Sequence, residues 1–221
     1  MRFLRLFLFT LFAAQTAAGQ NLLQNSDFAS DLSRWLVRVR TTNTVTWSPL
    51  DYAGQAGSGS AYLVNDAPCE PTGSTSYLCD MPALEQCVSV QPSRPYRVGL
   101  TGFIPSGPSA GGLIWTGVTY YAQANCLGPA LLFPSTGSRP VGSWQSHSIV
   151  FPSPVGSSSA LVQFGAVRDS FPTGTFHAHV DSAVFEDASA APESIPVGPF
   201  AHAILALLLA SVAVRRLMPT A

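Results

Sequence analysis

Three residues near the end of the chain, His177, His179 and Asp181, have types and spacing that could bind a metal. Side chains of a β-strand alternate between its two faces, so this spacing places all three on one face. Imidazole and carboxylate groups are ligands for transition metals. Strand histidines that face solvent or a polar loop are commoner, so the spacing favours an ordinary polar strand face.

A second pattern, Gly107-Pro-Ser-Ala-Gly111, has the Gly-x-Ser-x-Gly spacing of a nucleophile elbow. Such an elbow needs a strand before the serine and a helix after it. Here a proline-rich loop precedes the serine and a strand-like run follows it, so we expect a turn. No pair of carboxylates has a context that suggests glycoside hydrolysis, and we expect no enzymatic activity.

Aromatic and arginine side chains at outward strand positions could bind sugars. Aromatic rings stack on pyranose rings, and arginine donates hydrogen bonds to hydroxyls. In the run Leu113–Ala122 the aliphatic positions are assigned inward, which turns Trp115 and Tyr121 outward. The alternative is that these two residues are buried in the core. The predicted carbohydrate-binding residues are Trp115, Tyr121, Arg97, Phe103, Arg38 and Arg40.

The composition excludes several classes of protein. The 221 residues are 47% hydrophobic and only 10% charged, which argues against disorder driven by charge. The 11 basic residues are all arginines. The net charge of −1 provides no electrostatic attraction for a phosphate backbone, so we expect no nucleic-acid partner. The 18 glycines and 18 prolines suit short strands joined by turns.

Strand-like segments recur along the middle of the chain and predict an all-β, jelly-roll β-sandwich of eight to nine strands. Only Pro82–Gln86 suggests a helical turn. The predicted strands are Trp35–Thr41, Thr44–Trp47, Ser60–Val64, Gln86–Val90, Tyr96–Ile104, Leu113–Ala122, Ser146–Phe151, Ala160–Val167 and Thr175–Phe185.

The first 19 residues have the pattern of a secretory signal peptide, an N-terminal helix that is removed on export. Arg2 and Arg5 precede a short apolar run, and small residues allow cleavage before Gln20 or after Ala18. The domain then spans residues 20–187, followed by a linker at 188–194 and a C-terminal segment at 195–221.

The C-terminal segment is apolar from Ile195 to Val214, long enough for a transmembrane helix, and Arg215 and Arg216 follow it. Together with Ile195-Pro196 and Phe200-Ala201, this order resembles the IPTL-type protein-sorting segments of Gram-negative bacteria. The resemblance implies a sorting protease as partner. A plain tail anchor and a eukaryotic GPI signal are the alternatives.

Four cysteines in an exported chain predict two disulfides, for which three pairings exist. We expect Cys69–Cys79 across a short loop and Cys87–Cys126 between two strands. Zinc is the rival use, but no Cys-x-x-Cys pair is present.

The opening Asn21-Leu-Leu-Gln-Asn25-Ser-Asp-Phe28, with Trp35 behind it, resembles the start of carbohydrate-binding modules of families 4, 9 and 22. Val180-Asp181 resembles their closing strand. The resemblance implies a jelly roll and a structural calcium, with Asp181 as ligand and the backbone near Asp27 supplying carbonyls. Asp27 lies two positions before Ala29, which stands where the family has a glutamate ligand.

These observations predict an exported, non-catalytic carbohydrate-binding protein. We expect it to be tethered to the membrane at the bacterial cell envelope or surface, or released after processing. Its partner would be a polysaccharide or surface glycan. The alternative is a structural or adhesive surface protein with the same fold and no sugar site.

Overall fold

The computed structural model describes residues 19–40, 42–55, 57–66, 81–107, 111–168 and 174–189. Residues Gly19–Ser189 form one compact unit, and its described residues contain eleven strands and a 3₁₀ turn at Ala124–Cys126. The strands are β1 (Leu36–Arg38), β2 (Thr44–Ser48), β3 (Ser60–Asn65), β4 (Ala83–Ser89), β5 (Pro95–Phe103), β6 (Gly112–Tyr121), β7 (Ala130–Leu132), β8 (Ser135–Ser138), β9 (Gln145–Pro152), β10 (Ser159–Arg168) and β11 (Phe176–Asp187).

The strands form two antiparallel sheets. Sheet A has the order β1-β4-β10-β6-β7, and β8 also pairs with β6. Sheet B has the order β2-β3-β11-β5-β9. The all-β jelly-roll sandwich predicted from the sequence is confirmed.

Alternation along the strands builds the core between the sheets. Sheet A contributes alternate residues of β6 and β10, such as Val118 and Phe164, and sheet B contributes Val98 and Phe185. The residues between them point away from the core, so each sheet also has an outer face.

The opening segment ties the two sheets together at one edge. The Asn21 side chain donates to the carbonyl of Ala183 at 2.9 Å and accepts from the amide of Phe185 at 3.0 Å, as an added strand would. Leu23 and Phe28 are buried in the core. The motif at the start of the domain is therefore structural.

The nine predicted strands are all present, but two details differ. The helical turn expected at Pro82–Gln86 is wrong, because β4 starts at Ala83 and pairs with β1 and β10. Two further strands, β7 and β8, bring the number to eleven.

The predicted signal peptide, the C-terminal segment and the Cys69–Cys79 pair lie outside the described residues. In the ranges that are described, no helix is both long and apolar enough to cross a membrane.

Candidate functional site

The predicted carbohydrate-binding residues lie on opposite sides of the sandwich. Arg38, Trp115 and Tyr121 project from the outer face of sheet A. Arg97 and Phe103 project from the outer face of sheet B, where Arg97 pairs with Glu186 of β11. The core separates the two groups, so they do not form one site.

Arg40 lies beyond the end of β1 and is exposed. It belongs to the same edge of sheet A as Arg38. Sequence alternation separated inward from outward positions correctly in β5 and β6, but it carried no information about which sheet each strand joins.

On the outer face of sheet A, one row of residues runs straight across four strands. Leu36 of β1 pairs with Glu85, Glu85 with Gln163 of β10, and Gln163 with Gly117 of β6. Neighbouring strands lie about 4.8 Å apart, so this row spans about 14 Å.

Polar side chains on and beside this row form a continuous hydrogen-bonded network. Arg38 donates to Glu85 Oε1 at 3.1 Å, and Gln163 Nε2 donates to the same oxygen at 2.7 Å. Thr119 Oγ1 donates to Gln163 Oε1 at 3.4 Å. Glu85 and Gln163 are each only 6% exposed, whereas the Arg38 side chain is 53% exposed. The network thus presents a buried carboxylate and amide as a floor, with a guanidinium at its edge.

An aromatic pair lies at the β6 end of the row. The Trp115 ring folds over Gly117, where any Cβ would collide with the indole. Phe133, which is half exposed, lies 5.5 Å from Trp115 between ring centroids. Because Gly117 has no side chain, the indole can lie close to the sheet.

The 3₁₀ turn bounds this face along one side. The amide of Cys126 donates to Ser159 Oγ at 2.9 Å, and Ser159 Oγ donates to the carbonyl of Gln123 at 2.6 Å. A disulfide joins Cys126 to Cys87 of β4, with Cα atoms 6.0 Å apart, as predicted from the sequence. The turn is therefore held over the sheet and forms a wall beside the row.

A groove of about 680 Å³ continues from this row over the edge of β4 that β1 leaves uncovered. Its floor includes Glu85 and Leu161, and its rim includes Arg34, Gln24 and Leu36. The Gln86 side chain fixes the rim, because it accepts from the amide of Gln24 at 2.7 Å and donates to the carbonyl of Arg34 at 3.1 Å. Trp115 and Tyr121 are not part of the groove lining.

The outer face of sheet B carries a separate aromatic cluster. The rings of Tyr62, Phe103 and Trp144 surround His179, with centroids 4.6, 5.9 and 6.1 Å from the imidazole. Tyr52, which is half exposed, touches Trp144. Tyr62, Phe103 and Trp144 are partly exposed, and His179 is buried among them.

The three residues suggested for a transition metal share the outer face of sheet B, but each has a protein partner. His177 is hydrogen-bonded to the Tyr62 hydroxyl, and His179 to Ser60 Oγ at 3.0 Å. Asp181 accepts from the amides of Tyr52 and Ser182. Among the described residues, no group of three or more His, Cys, Asp or Glu side chains is placed to share a metal ion.

The segments that would supply the calcium ligands suggested by the resemblance do meet, because the carbonyl of Ser26 accepts from the amide of Ala183 at 2.8 Å. Asp181 is buried, and both of its oxygens accept amide hydrogens. Asp27 is exposed. The carbonyl of Phe28 accepts from the Trp47 indole at 2.7 Å. These partners satisfy Asp181 without an ion, and calcium binding stays a prediction.

Burial shifts two pKa values on sheet B in directions that favour the neutral forms. Desolvation, helped by His177, lowers the pKa of His179 to about 4. Desolvation, helped by the nearby Asp51, raises the pKa of Asp181 to about 6.

Sequence reasoning missed Glu85 and Gln163, the buried members of the network on sheet A. The sequence does mark Gln163 as unusual, because it is the only polar residue in the apolar run Leu161–Val167. Glu85 was hidden because its segment was assigned to a helical turn.

No protein-family model matches the sequence, and no curated protein matches it closely enough to count as a relative. Solved structures do match in fold. A family 16 carbohydrate-binding module matches with a TM-score of 0.50 at 16% identity, over 76% of this chain and 100% of the module.

The enzymatically active domain of tailspike protein 4 from bacteriophage CBA120 matches with a TM-score of 0.55 at 14% identity. The match covers 76% of this chain and only 21% of the tailspike chain. Modules of a Clostridium thermocellum xylanase, CBM22-1 with its GH10 domain, solved with xylohexaose, match with a TM-score of 0.50 at 9% identity, over 79% of this chain and 30% of theirs. At such low identity these likenesses establish the fold: this chain is similar to jelly-roll modules found in carbohydrate-binding and tailspike proteins.

Proposed function

We propose that this protein is a non-catalytic carbohydrate-binding protein whose binding surface is the outer face of sheet A. The observation that carries the proposal is the row across β1, β4, β10 and β6. The row contains the carboxylate of Glu85 and the amide of Gln163. The guanidinium of Arg38 and the indole of Trp115, which lies on the sheet, stand beside it.

These groups supply the two interactions that sugars need. A ring face can stack on the Trp115–Phe133 pair, which offers apolar area without rotamer-rich side chains. Hydroxyl groups can donate to Glu85 and accept from Arg38 or Gln163, and the network already holds these side chains in place. A span of about 14 Å fits a few sugar residues, so the ligand would be a polysaccharide segment crossing the strands.

The fold supports this proposal only in general terms. A family 16 carbohydrate-binding module has a similar fold, as does a module of a xylanase solved with xylohexaose. Because the identities are only 16% and 9%, the ligand of this chain has to be inferred from its own residues.

We also propose that the chain is exported and anchored at the cell envelope by residues 195–221. A sorting protease would either process this anchor later or leave it in place. The apolar run of that segment and the arginine pair after it support this placement. A surface tether would suit a protein that holds a glycan without cleaving it.

The aromatic cluster on sheet B supplies the competing site, so a matched pair of variants tests the proposal. Trp115→Ala removes the aromatic platform of sheet A, and Phe103→Ala removes one ring of the sheet B cluster. Each variant and the wild-type chain is screened against a glycan array, followed by calorimetric titration with the best ligand.

We expect Trp115→Ala to weaken binding by about 10- to 100-fold, while Phe103→Ala binds within about twofold of wild type. Thermal melting of both variants checks that they fold. The reverse pattern would move the site to sheet B. Absence of binding to every glycan by the folded wild-type chain would favour the structural or adhesive alternative.

A further inference from the structure

Charge is divided unequally between the two sheets. The strands of sheet A contain Arg38 and Arg168 against the single carboxylate of Glu85, a net charge of +1. The strands of sheet B contain Arg97 against three carboxylates, a net charge of −2. The carboxylates of sheet B are Asp181, Glu186 and Asp187.

Three arginines are clustered in and around β1, at one end of the row. Arg34, Arg38 and Arg40 occur within seven residues, and Arg34 lines the groove. The nearest acid along the chain, Asp31, is engaged within its own turn by the amide of Ser33 at 2.9 Å. Arg34 therefore places a guanidinium at the rim of the groove, while Arg38 lies beside the row at its β1 end and Trp115 beside it at its β6 end.

Arg38 keeps hydrogen-bonding capacity beyond its ion pair. A guanidinium carries five N–H donors, and the Glu85 contact uses Nη1. The Arg38 side chain is 53% exposed, while Glu85 is buried and shares its oxygen with Gln163. A ligand carboxylate could approach the exposed edge of Arg38 without displacing Glu85.

We propose that the outer face of sheet A, formed by the row and the adjoining groove, selects polysaccharides that carry carboxylates, that is, uronic-acid-containing chains. The inference rests on the proposed function and specifies its ligand class. A planar guanidinium matches a carboxylate in a two-point hydrogen bond. A uronate ring has an apolar face that can stack on Trp115, and its carboxylate meets the positive field of the β1 end.

The chain offers a matched control for this proposal. Arg97 on sheet B is 47% exposed and pairs with the buried Glu186, just as Arg38 pairs with Glu85. Replacing either arginine removes the same charge from a similar environment. Of the two, Arg38 is the one that lies beside the row on sheet A.

The experiment titrates the purified full chain, in mild detergent, with polygalacturonate, alginate and glucuronoxylan. Each polymer is compared with the same polymer after reduction of its carboxylates to alcohols. Dextran sulfate, a sulfated chain without carboxylates, serves as a third type of probe. The proteins are wild type, Arg38→Gln and Arg97→Gln, and the double variants R38Q/E85Q and R97Q/E186Q cover the case in which an unpaired glutamate prevents folding.

We expect wild type to bind at least one uronate polymer about tenfold or more tightly than its reduced form, with an affinity that falls as salt rises. Arg38→Gln, or R38Q/E85Q, removes most of that preference, because it weakens binding of the native polymer about tenfold more than binding of the reduced polymer. Arg97→Gln and R97Q/E186Q keep the preference.

Equal affinity for native and reduced polymers would overturn the inference while leaving carbohydrate binding intact. Loss of the preference in the Arg97 variants as well would also overturn it, as would binding of dextran sulfate as tight as that of the uronate polymers. Failure of wild type to bind any native or reduced polymer, or any glycan of the array, would overturn both this inference and the proposed function.

Discussion

At the scale of single residues, the proposed site depends on one small residue beneath one large one. A methyl group on Gly117 would collide with the Trp115 ring, so Gly117→Ala should lift the indole from the sheet. We expect glycan affinity to fall about tenfold, because the platform loses its position, while the fold is kept. Calorimetric titration measures this change.

Gly137 provides the control, since it lies beside Trp115 in the neighbouring strand and a methyl group there meets only the flexible end of Leu113 at 2.9 Å. Gly137→Ala should leave the affinity unchanged. If both variants bind like wild type, the position of the indole does not matter for binding.

Two buried titratable residues on sheet B should affect stability with opposite signs. Between about pH 4 and pH 6, the folded chain keeps a proton on Asp181 that the unfolded chain releases, so its contribution to the free energy of unfolding falls as pH rises. Over the same range His179 is neutral when folded and protonated when unfolded, so its contribution rises with pH. The two contributions oppose each other in wild type.

We therefore predict that Asp181→Asn makes stability rise more steeply with pH between 4 and 6 than in wild type, and that His179→Gln makes it fall. The slopes should differ from wild type by up to about 1.4 kcal/mol per pH unit. Urea denaturation at a series of pH values measures them. Parallel profiles for all three proteins would mean that neither pKa is shifted.

The same titration tests the calcium prediction. A calcium ion on Asp181 would hold it ionised, so added calcium would remove the stabilisation gained by protonation and raise the melting temperature near pH 7. A wild-type profile that is identical with calcium and with chelator would exclude an ion at Asp181.

At the scale of elements, alternation in the sequence predicted every long strand, because each has one face in the core. The strands β7 and β8 were missed because they are short, lie in a segment rich in glycine and proline, and pair only with the edge of β6. The segment Ala83–Gln86 contains good helix formers, but pairing on both sides makes it a strand.

The wall beside the site depends on a single cross-link between elements. Replacing Cys87 and Cys126 with serine should lower the free energy of unfolding by about 2–4 kcal/mol, since the bond closes a loop with a sequence separation of 39. Chemical denaturation measures this loss.

Glycan affinity should fall in the same double variant, because the 3₁₀ turn then keeps its hydrogen bonds to Ser159 but loses its covalent link to β4. The binding role of the wall would be contradicted if stability falls and affinity does not.

At the scale of the whole molecule, the sequence could not assign residues to a common site. Strand order is set by long-range pairing, which places β5 in the sheet opposite β6 although the two are consecutive along the chain. Phe103 and Trp115 are therefore both outward, as predicted, yet lie on opposite faces. The same pairing brings together Arg38, Glu85 and Gln163 from three distant segments.

The proposed tether makes a prediction about the location of the whole chain. Deletion of residues 195–221 should release the protein into the periplasm or the medium, because the removed segment contains the apolar run that would hold it. Fractionation followed by immunoblotting measures the distribution. Continued recovery of the truncated protein with membranes would contradict the tether, and a deletion of equal length in an unrelated exported protein controls for altered export.

The central claim is that polysaccharide binds across the outer face of sheet A, and the most direct test is a map of backbone amide shifts by NMR during titration with a bound oligosaccharide. The account predicts the largest shifts at Glu85, Gln163 and Gly117, on the row that crosses the sheet, together with the Trp115 indole. Shifts concentrated instead at Tyr62, Phe103 and His179 on sheet B, with the sheet A row unchanged, would contradict it.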